Sequence, residues 1–314
     1  MLKNSIILIL MLAATSVCAE TELKLLHFNV WGAGQNQGKS IEETLAVLRA
    51  IDADIVSLQE SRAEAFECSG RSCPPRGPSA ARELAEAMGY HYYDQKGEDV
   101  GLWANAILSR FPILEVTPNE FGIVIETGGK RILVISMHGE DYPYVPYQLL
   151  GIPYGDAPFL AGSDAAVESA RQAKQAELEL LLQDLSSVEN IEATFVMGDF
   201  NEPSHRDWTA AAAAAGQHPF AVEFPFTVKL EELGFVDAYR TVFPDEIARP
   251  GYTWTPTTSP DDPADHHDRI DFIFVRGAQV LDAAIVGEKS PEAEIVVTPW
   301  PSDHRAVMAK ILLP

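Results

Sequence analysis

Basic residues are what this chain lacks most: 23 Lys and Arg stand against 46 Asp and Glu, for a formal net charge of −23. No Lys/Arg cluster interrupts that excess, so the patch through which proteins hold bulk nucleic acid is missing. Charge is a summed property, and a local groove or bound divalent cations would offset it. The deficit therefore disfavours a general nuclease without excluding one. Cysteine is scarce too, at three residues. After the amino-terminal segment no apolar run is long enough to span a bilayer, which excludes a helical anchor there. No internal repeat is present, and the alanine run at 210–215 is the only low-complexity patch. What remains, 46% hydrophobic and 22% charged residues, is ordinary for a globular protein.

Residues 1–19 have the layout of a secretory signal. Lys3 supplies the positive end, Ile6 to Ala14 the apolar centre, and Val17-Cys18-Ala19 a small-residue cleavage site before Glu20. A periplasmic or secreted location is expected, with 20–314 as one α/β domain. A lipid anchor on Cys18 is the competing reading, disfavoured by the bulk of Val17. The other cysteines, Cys68 and Cys73, are expected to pair in an oxidising compartment and close a small loop. Zinc would need more ligands than that loop offers.

Strand-like and helix-like patterns alternate along the chain with no long polar linker, which argues for one α/β unit. Strands are expected at 23–31, 55–60, 90–93, 105–109, 121–125, 131–138, 252–255, 269–275 and 306–313. Ser40 followed by Glu43 predicts a capping box, with Ile41, Leu45 and Leu48 on the inward face of its helix. Further helices are expected at 79–88, 164–186, 204–216 and 228–234. Residues 139–162, with Tyr142, Tyr144, Tyr147, Tyr154 and four prolines, read as a long connection without secondary structure over the mouth of a site. Those tyrosines would either stack on a ligand or pack the loop against the body.

The stretch ATFVMGDFN (193–201) is the centre of the reading. Phe195 to Met197 form a buried-strand run, which Gly198 is expected to break. Because strand residues alternate faces, Asp199 and Asn201 point one way and Phe200 into the core. Gly, Asp and Asn are also ordinary turn formers, so this stretch alone leaves both readings open. Other polar residues close apolar strands in the same manner: Asn29, Glu60, His138, Asp271, and the Asp303-His304 pair before the last strand.

As a set, in this order and in the contexts FNVW, LQE, NAILS, GDFN, RIDFIF and SDH, these residues resemble the endonuclease/exonuclease/phosphatase superfamily. That superfamily includes DNase I-like nucleases, neutral sphingomyelinases and inositol polyphosphate phosphatases. The resemblance implies a four-layer α/β/β/α sandwich of two mixed β-sheets. It also implies a metal-dependent phosphoester hydrolase using Mg²⁺ or Mn²⁺. Glu60, assisted by Asn29 and supported by Asp303, would hold the ion. Asp199 would activate water and Asn201 would bond the phosphoryl group. His304, fixed by Asp271, would contact phosphate or move a proton, and His138 would assist the transition state or the leaving group. Asn105 resembles a further position near the phosphate.

Residues 139–148, GEDYPYVPYQ, replace the shorter aliphatic continuation common in the family, which leaves Glu140 and Asp141 as extra ligands or as solvated acids. His205, His266 and His267 read as surface or supporting residues, and DHHD is assigned no metal. The expected substrate is a small phosphodiester or lipid headgroup. A nucleic acid and a sugar or inositol phosphomonoester are the alternatives, and no stable protein partner is implied. A catalytically silent binding module would have lost Glu60, Asp199 or His304, and all of them are present.

Overall fold

The computed structural model describes residues 21–63, 79–95 and 105–314. The leader segment with Cys18 and the Cys68/Cys73 loop lie outside the described residues.

β1 (Glu22–Asn29) leads through a 3₁₀ segment (Gly32–Gln37) to α1 (Ile41–Ile51). Ser40 caps α1, but its hydroxyl accepts from the Glu42 N–H rather than closing a box with Glu43. β2 (Ile55–Gln59), α2 (Ala81–Met88), β3 (His91–Asp94) and β4 (Ala106–Ser109) follow. Next come β5 (Ile113–Val116), β6 (Gly122–Thr127) and β7 (Lys130–His138). After β7 stand α3 (Val145–Leu150), the 25-residue α4 (Ser163–Ser187) and β8 (Ala193–Asp199). The remainder is α5 (Ala210–Ala214), α6 (Pro225–Glu232), β9 (Val236–Asp237), α7 (Ala238–Val242), β10 (Asp271–Arg276), β11 (Gln279–Gly287), β12 (Ile295–Val296) and β13 (Ala306–Leu312).

The strands form a seven-stranded sheet, β12-β11-β13-β1-β2-β4-β3, and a six-stranded one, β5-β6-β7-β8-β10-β9. Both are mixed: β1 runs parallel to β2, β11 to β12 and β7 to β8, within otherwise antiparallel neighbours. Alternation along each strand builds the layers. Leu23 and Leu25 of β1 and Ile55 of β2 face Val134, Phe195, Met197 and Ile273 across the space between the sheets. The alternate residues Leu26, Phe28, Val56 and Leu58 meet Leu45 and Leu48 of α1 and Leu84 of α2. On the far side Leu133, Val196, Phe272 and Phe274 meet Leu181 of α4 and Phe226 and Leu230 of α6. Each large apolar side chain so buried contributes about 1.5–3 kcal/mol. This is the expected four-layer α/β/β/α sandwich.

Several expectations need correction. Gly198 does not end its strand but lies within β8, because the parallel neighbour β7 comes too close for a side chain: a Cβ there would sit 2.3 Å from the Met137 carbonyl oxygen. The tract 139–162 is not without secondary structure, since α3 forms where Pro146 presets the first helical turn. Residues 252–255 make only isolated bridges, from Trp254 to Asp268 and to His304, instead of a strand. The alanine-rich helix shortens to Ala210–Ala214, capped by the Thr209 hydroxyl. Conversely β5, β9, α7, β11 and β12 were not expected. β5 is an exposed edge strand, and β11 opens on alternately exposed residues, with Asp282 interrupting its apolar run.

Candidate active site

The alternation that builds the inner core also builds the site. Toward the carboxyl ends of β1, β2, β7 and β8, the inward positions change from aliphatic to polar. Beyond Leu25 come His27 and Asn29, beyond Ile55 come Ser57 and Gln59, beyond Val134 come Ser136 and His138, and beyond Met197 comes Asp199. Ser57 donates to Ser136 at 2.8 Å, and the Gln59 amide donates to both hydroxyls at 2.9 Å. That buried polar layer separates the apolar core from the charged groups above it.

Register aligns those groups. His138 pairs with Asp199 across β7 and β8, and Asp199 with Asp271 across β8 and β10. From the other sheet, the Asn29 amide donates to Glu60 Oε1 at 2.9 Å and to Asp199 Oδ2 at 3.0 Å. Asp199 Oδ2 also lies 3.5 Å from His304 Nε2 and 3.6 Å from His138 Nε2. Asn201 is held beside it, with its N–H on Asp199 Oδ1 and its amide on the Gly139 carbonyl, both at 3.0 Å. Ser302 Oγ donates to the Asn29 carbonyl at 2.7 Å and accepts the His304 N–H at 3.1 Å, which seats the Asp303-His304 turn on β1.

Three residues just past strand ends sit in the left-handed region: Trp31 at φ 43°, Glu60 at φ 51° and Asn201 at φ 46°. Asn tolerates this conformation, but Trp and Glu do so at a cost of order 1–3 kcal/mol each. Strain at this rim is the signature of positions held for geometry rather than stability.

Burial and charge then set the protonation states. Burial raises a carboxyl, yet at Asp271 it is outweighed by His304 and by hydrogen bonds from His27 and His304, which hold it well below the usual carboxylate range. His304 is the mirror case: burial opposes its charge, but Asp271 and Asp199 raise it well above the ordinary imidazole value. Burial lowers His138, which is therefore neutral near neutral pH. Burial and then Asp303 push Glu60 well up, and burial pushes Asp303 up to about 6.

Those raised carboxyls test the fit to a cation. Among the described residues the ion-pair partners of Glu60 and Asp199 are histidines, with no Lys or Arg. Converging carboxylates with an amide and no Lys or Arg partner are a donor set for a hard divalent ion. Asp199, Asp271 and His304 also bring ligand atoms within 4.8 Å of one another. There, however, imidazoles occupy both Asp271 oxygens, so that trio is a proton relay rather than a cage.

A model of the Endonuclease/Exonuclease/phosphatase family matches residues 26–304, the span from β1 to His304. The chain belongs to the endonuclease/exonuclease/phosphatase family. Its members are phosphoester hydrolases, and this chain is one by the same membership. An uncharacterized protein of Caenorhabditis elegans is 25% identical over 94% of this chain and 93% of its own length. The fold is similar to that of a solved endonuclease/exonuclease/phosphatase family protein from Leptotrichia buccalis, with a TM-score of 0.55 at 17% identity over 92% of this chain and 99% of the other. It is also similar to an AP endonuclease from Archaeoglobus fulgidus, with a TM-score of 0.53 at 19% identity over 91% and 98%.

Of the residues expected from sequence, this family member brings Asn29, Glu60, His138, Asp199, Asn201, Asp271, Asp303 and His304 to one inter-sheet end. Asn105, buried, precedes the Ala106 that pairs with Leu58, so it continues the row beside Gln59. His205 stands apart, bonded to Thr227 and Glu231. His267 stands apart as well, bonded to Thr258. Asp141 accepts from Tyr154, and Glu140 Oε1 accepts the Tyr142 N–H at 3.4 Å, so neither acid is merely a solvated loop residue. The tyrosine hydroxyls are all engaged by carboxylates: Tyr142 by Asp156, Tyr144 by Asp268, Tyr147 by Asp265 and Tyr154 by Asp141.

Sequence reasoning missed His27, whose Nε2 lies 2.6 Å from Asp271 Oδ1. Its signal was parity, two residues before Asn29 on the same strand face. It also missed Trp254, whose ring centre is 4.9 Å from that of His304, and for which the sequence carries no local signal.

Proposed function

We propose that this protein hydrolyses a small phosphodiester or a phosphorylated lipid headgroup, outside the cytoplasm, with Mg²⁺ or Mn²⁺ as its ion. The observation that carries the reading is the convergence on Asp199 of Asn29 at 3.0 Å, His304 at 3.5 Å and His138 at 3.6 Å, beside the partly buried Glu60. An acid, two imidazoles and a second carboxylate without a Lys or Arg partner suit water attack at phosphorus.

Glu60 and Asp303 would hold the ion, with Asn29 bracing Glu60. When bound, the ion neutralises phosphate charge and polarises the ester. Asp199 takes the proton of the attacking water, which Asn29 orients. His304, held charged by Asp271, donates to a phosphoryl oxygen and stabilises the charge that grows there. Asn201 presents its side chain at the same rim. The neutral His138, on the Glu60 side of Asp199, assists the leaving oxygen. The net charge of −23 and the acid-bonded tyrosines beside the site support a small substrate over a polyanion. The signal-like residues 1–19 support export.

The test is hydrolysis of bis(p-nitrophenyl) phosphate, p-nitrophenyl phosphate, sphingomyelin vesicles and plasmid DNA, each with Mg²⁺, with EDTA and with His304→Ala. Metal-dependent turnover of the first or third substrate, lost in the variant, is the expected result. Faster turnover of DNA, or of the monoester alone, would overturn the substrate class.

A further inference from the structure

The second cluster of ligating side chains lies away from the catalytic row. His218 stands in the turn between α5 and α6, while His266 and Asp268 stand on the approach to β10. His218 Nδ1 is 3.3 Å from His266 Nε2, and that same nitrogen is 3.7 Å from Asp268 Oδ1. All three ligand atoms fall within 4.8 Å of one another. Two ligands, each about 2.1 Å from a tetrahedral ion, are about 3.4 Å apart, so the spacing matches a coordination sphere.

The surroundings hold these side chains in that arrangement. The His218 ring stacks on Trp208 at 4.2 Å and 13°. Asp268 is 1% exposed, and its hydrogen bonds come from neutral donors, Tyr144 OH and Trp208 Nε1, each at 2.8 Å. Arg240 and Arg269 line the same small cavity as His218 and Asp268, but both are paired with Asp207, and Arg269 also with Asp237. A buried carboxylate bonded to neutral donors is incomplete without a cation. His266, with 17% of its side chain exposed, leaves a route from solvent.

We propose that His218, His266 and Asp268 form a second metal site, for a divalent ion of the zinc class with water in the fourth position. Imidazole nitrogens with a single carboxylate suit Zn²⁺ and its neighbours better than Mg²⁺, which distinguishes this site from the carboxylate-rich catalytic one. Its role is to stiffen the wall of the active site. Asp268 pairs through its main chain with Trp254, whose ring lies against His304, and through its carboxylate with Tyr144 of the tyrosine tract.

The test uses untagged protein stripped with chelator and then titrated with Zn²⁺ or Co²⁺ alone, read by metal content and by the visible absorption of four-coordinate cobalt. Glu60→Gln removes a catalytic carboxylate, His266→Gln removes a ligand of the proposed site, and His218→Ala repeats the test from the other side. Tight zinc binding that survives Glu60→Gln is expected. In His266→Gln it should weaken by more than the about 10–100-fold that loss of an outer partner costs. His266 is partly exposed and its glutamine variant should fold, so a collapse of His218→Ala through Trp208 leaves the result decisive. Equal zinc affinity in the wild type and His266→Gln, or binding lost only in Glu60→Gln, overturns the proposal.

Discussion

Asp271 holds two imidazoles at once: His304 Nδ1 at 2.9 Å on one oxygen and His27 Nε2 at 2.6 Å on the other. The carboxylate thereby fixes the orientation of His304 and keeps it charged, while His27 fixes the carboxylate from the opposite side.

Asp271→Asn should therefore act through His304. The native pair raises the His304 pKa, so a reaction needing charged His304 keeps its rate until pH rises through that raised value. The variant should move this alkaline limb to lower pH and cut kcat by about 10²–10⁴-fold at neutral pH. A pH–rate profile with NMR titration of His304 checks both, and an unshifted limb would remove Asp271 from the relay.

Asp199→Ala should cost turnover without costing the fold. Its carboxylate receives Asn29 and faces two histidines, so a loss of about 10²–10⁴-fold in kcat is expected. The urea midpoint should stay close to that of the wild type, because burying the charge next to Glu60 gives the apo protein little stability. Near-normal turnover in this variant would sink the assignment of the water-activating role.

Metal and pH should be linked in stability. Asp303 and Glu60 both have raised folded-state pKa values, Asp303 at about 6. The sign is that of a buried acid. The apo protein is favoured while these groups are protonated and loses stability as pH rises from the unfolded values, about 4, through the folded ones. Saturating Mg²⁺ should thus raise Tm more at pH above Asp303's folded value than below it, and Glu60→Gln should shrink that increment. Equal increments in calorimetry at both pH values would exclude these carboxylates as the ion's ligands.

Gly198→Ala should destabilise by about 1–3 kcal/mol, since the added methyl would meet the Met137 carbonyl at 2.3 Å and push β7 from β8. Urea denaturation measures it. The same displacement separates His138 from Asp199, so kcat should fall as well.

Much of the site was legible because its residues sit at strand ends in local contexts that carry chemistry. GDFN, RIDF and SDH each place a charged group beside an apolar run, and alternation fixes which face it takes. The sandwich followed from the family resemblance those motifs carry, whereas the alternation of strand and helix patterns by itself pointed only to one α/β unit. The sequence by itself determined which side chains face inward, where the aliphatic rows end and that acids outnumber bases. Tertiary structure alone decided who meets whom. His27 becomes a partner of Asp271 only because β1 and β10 face each other from different sheets, 244 residues apart in sequence. Likewise Trp254 reaches His304, and His218 reaches His266, through loops whose positions depend on packing rather than on periodicity. Periodicity is a property of neighbours along the chain, whereas a site joins groups that only the packed sheets bring within bonding distance.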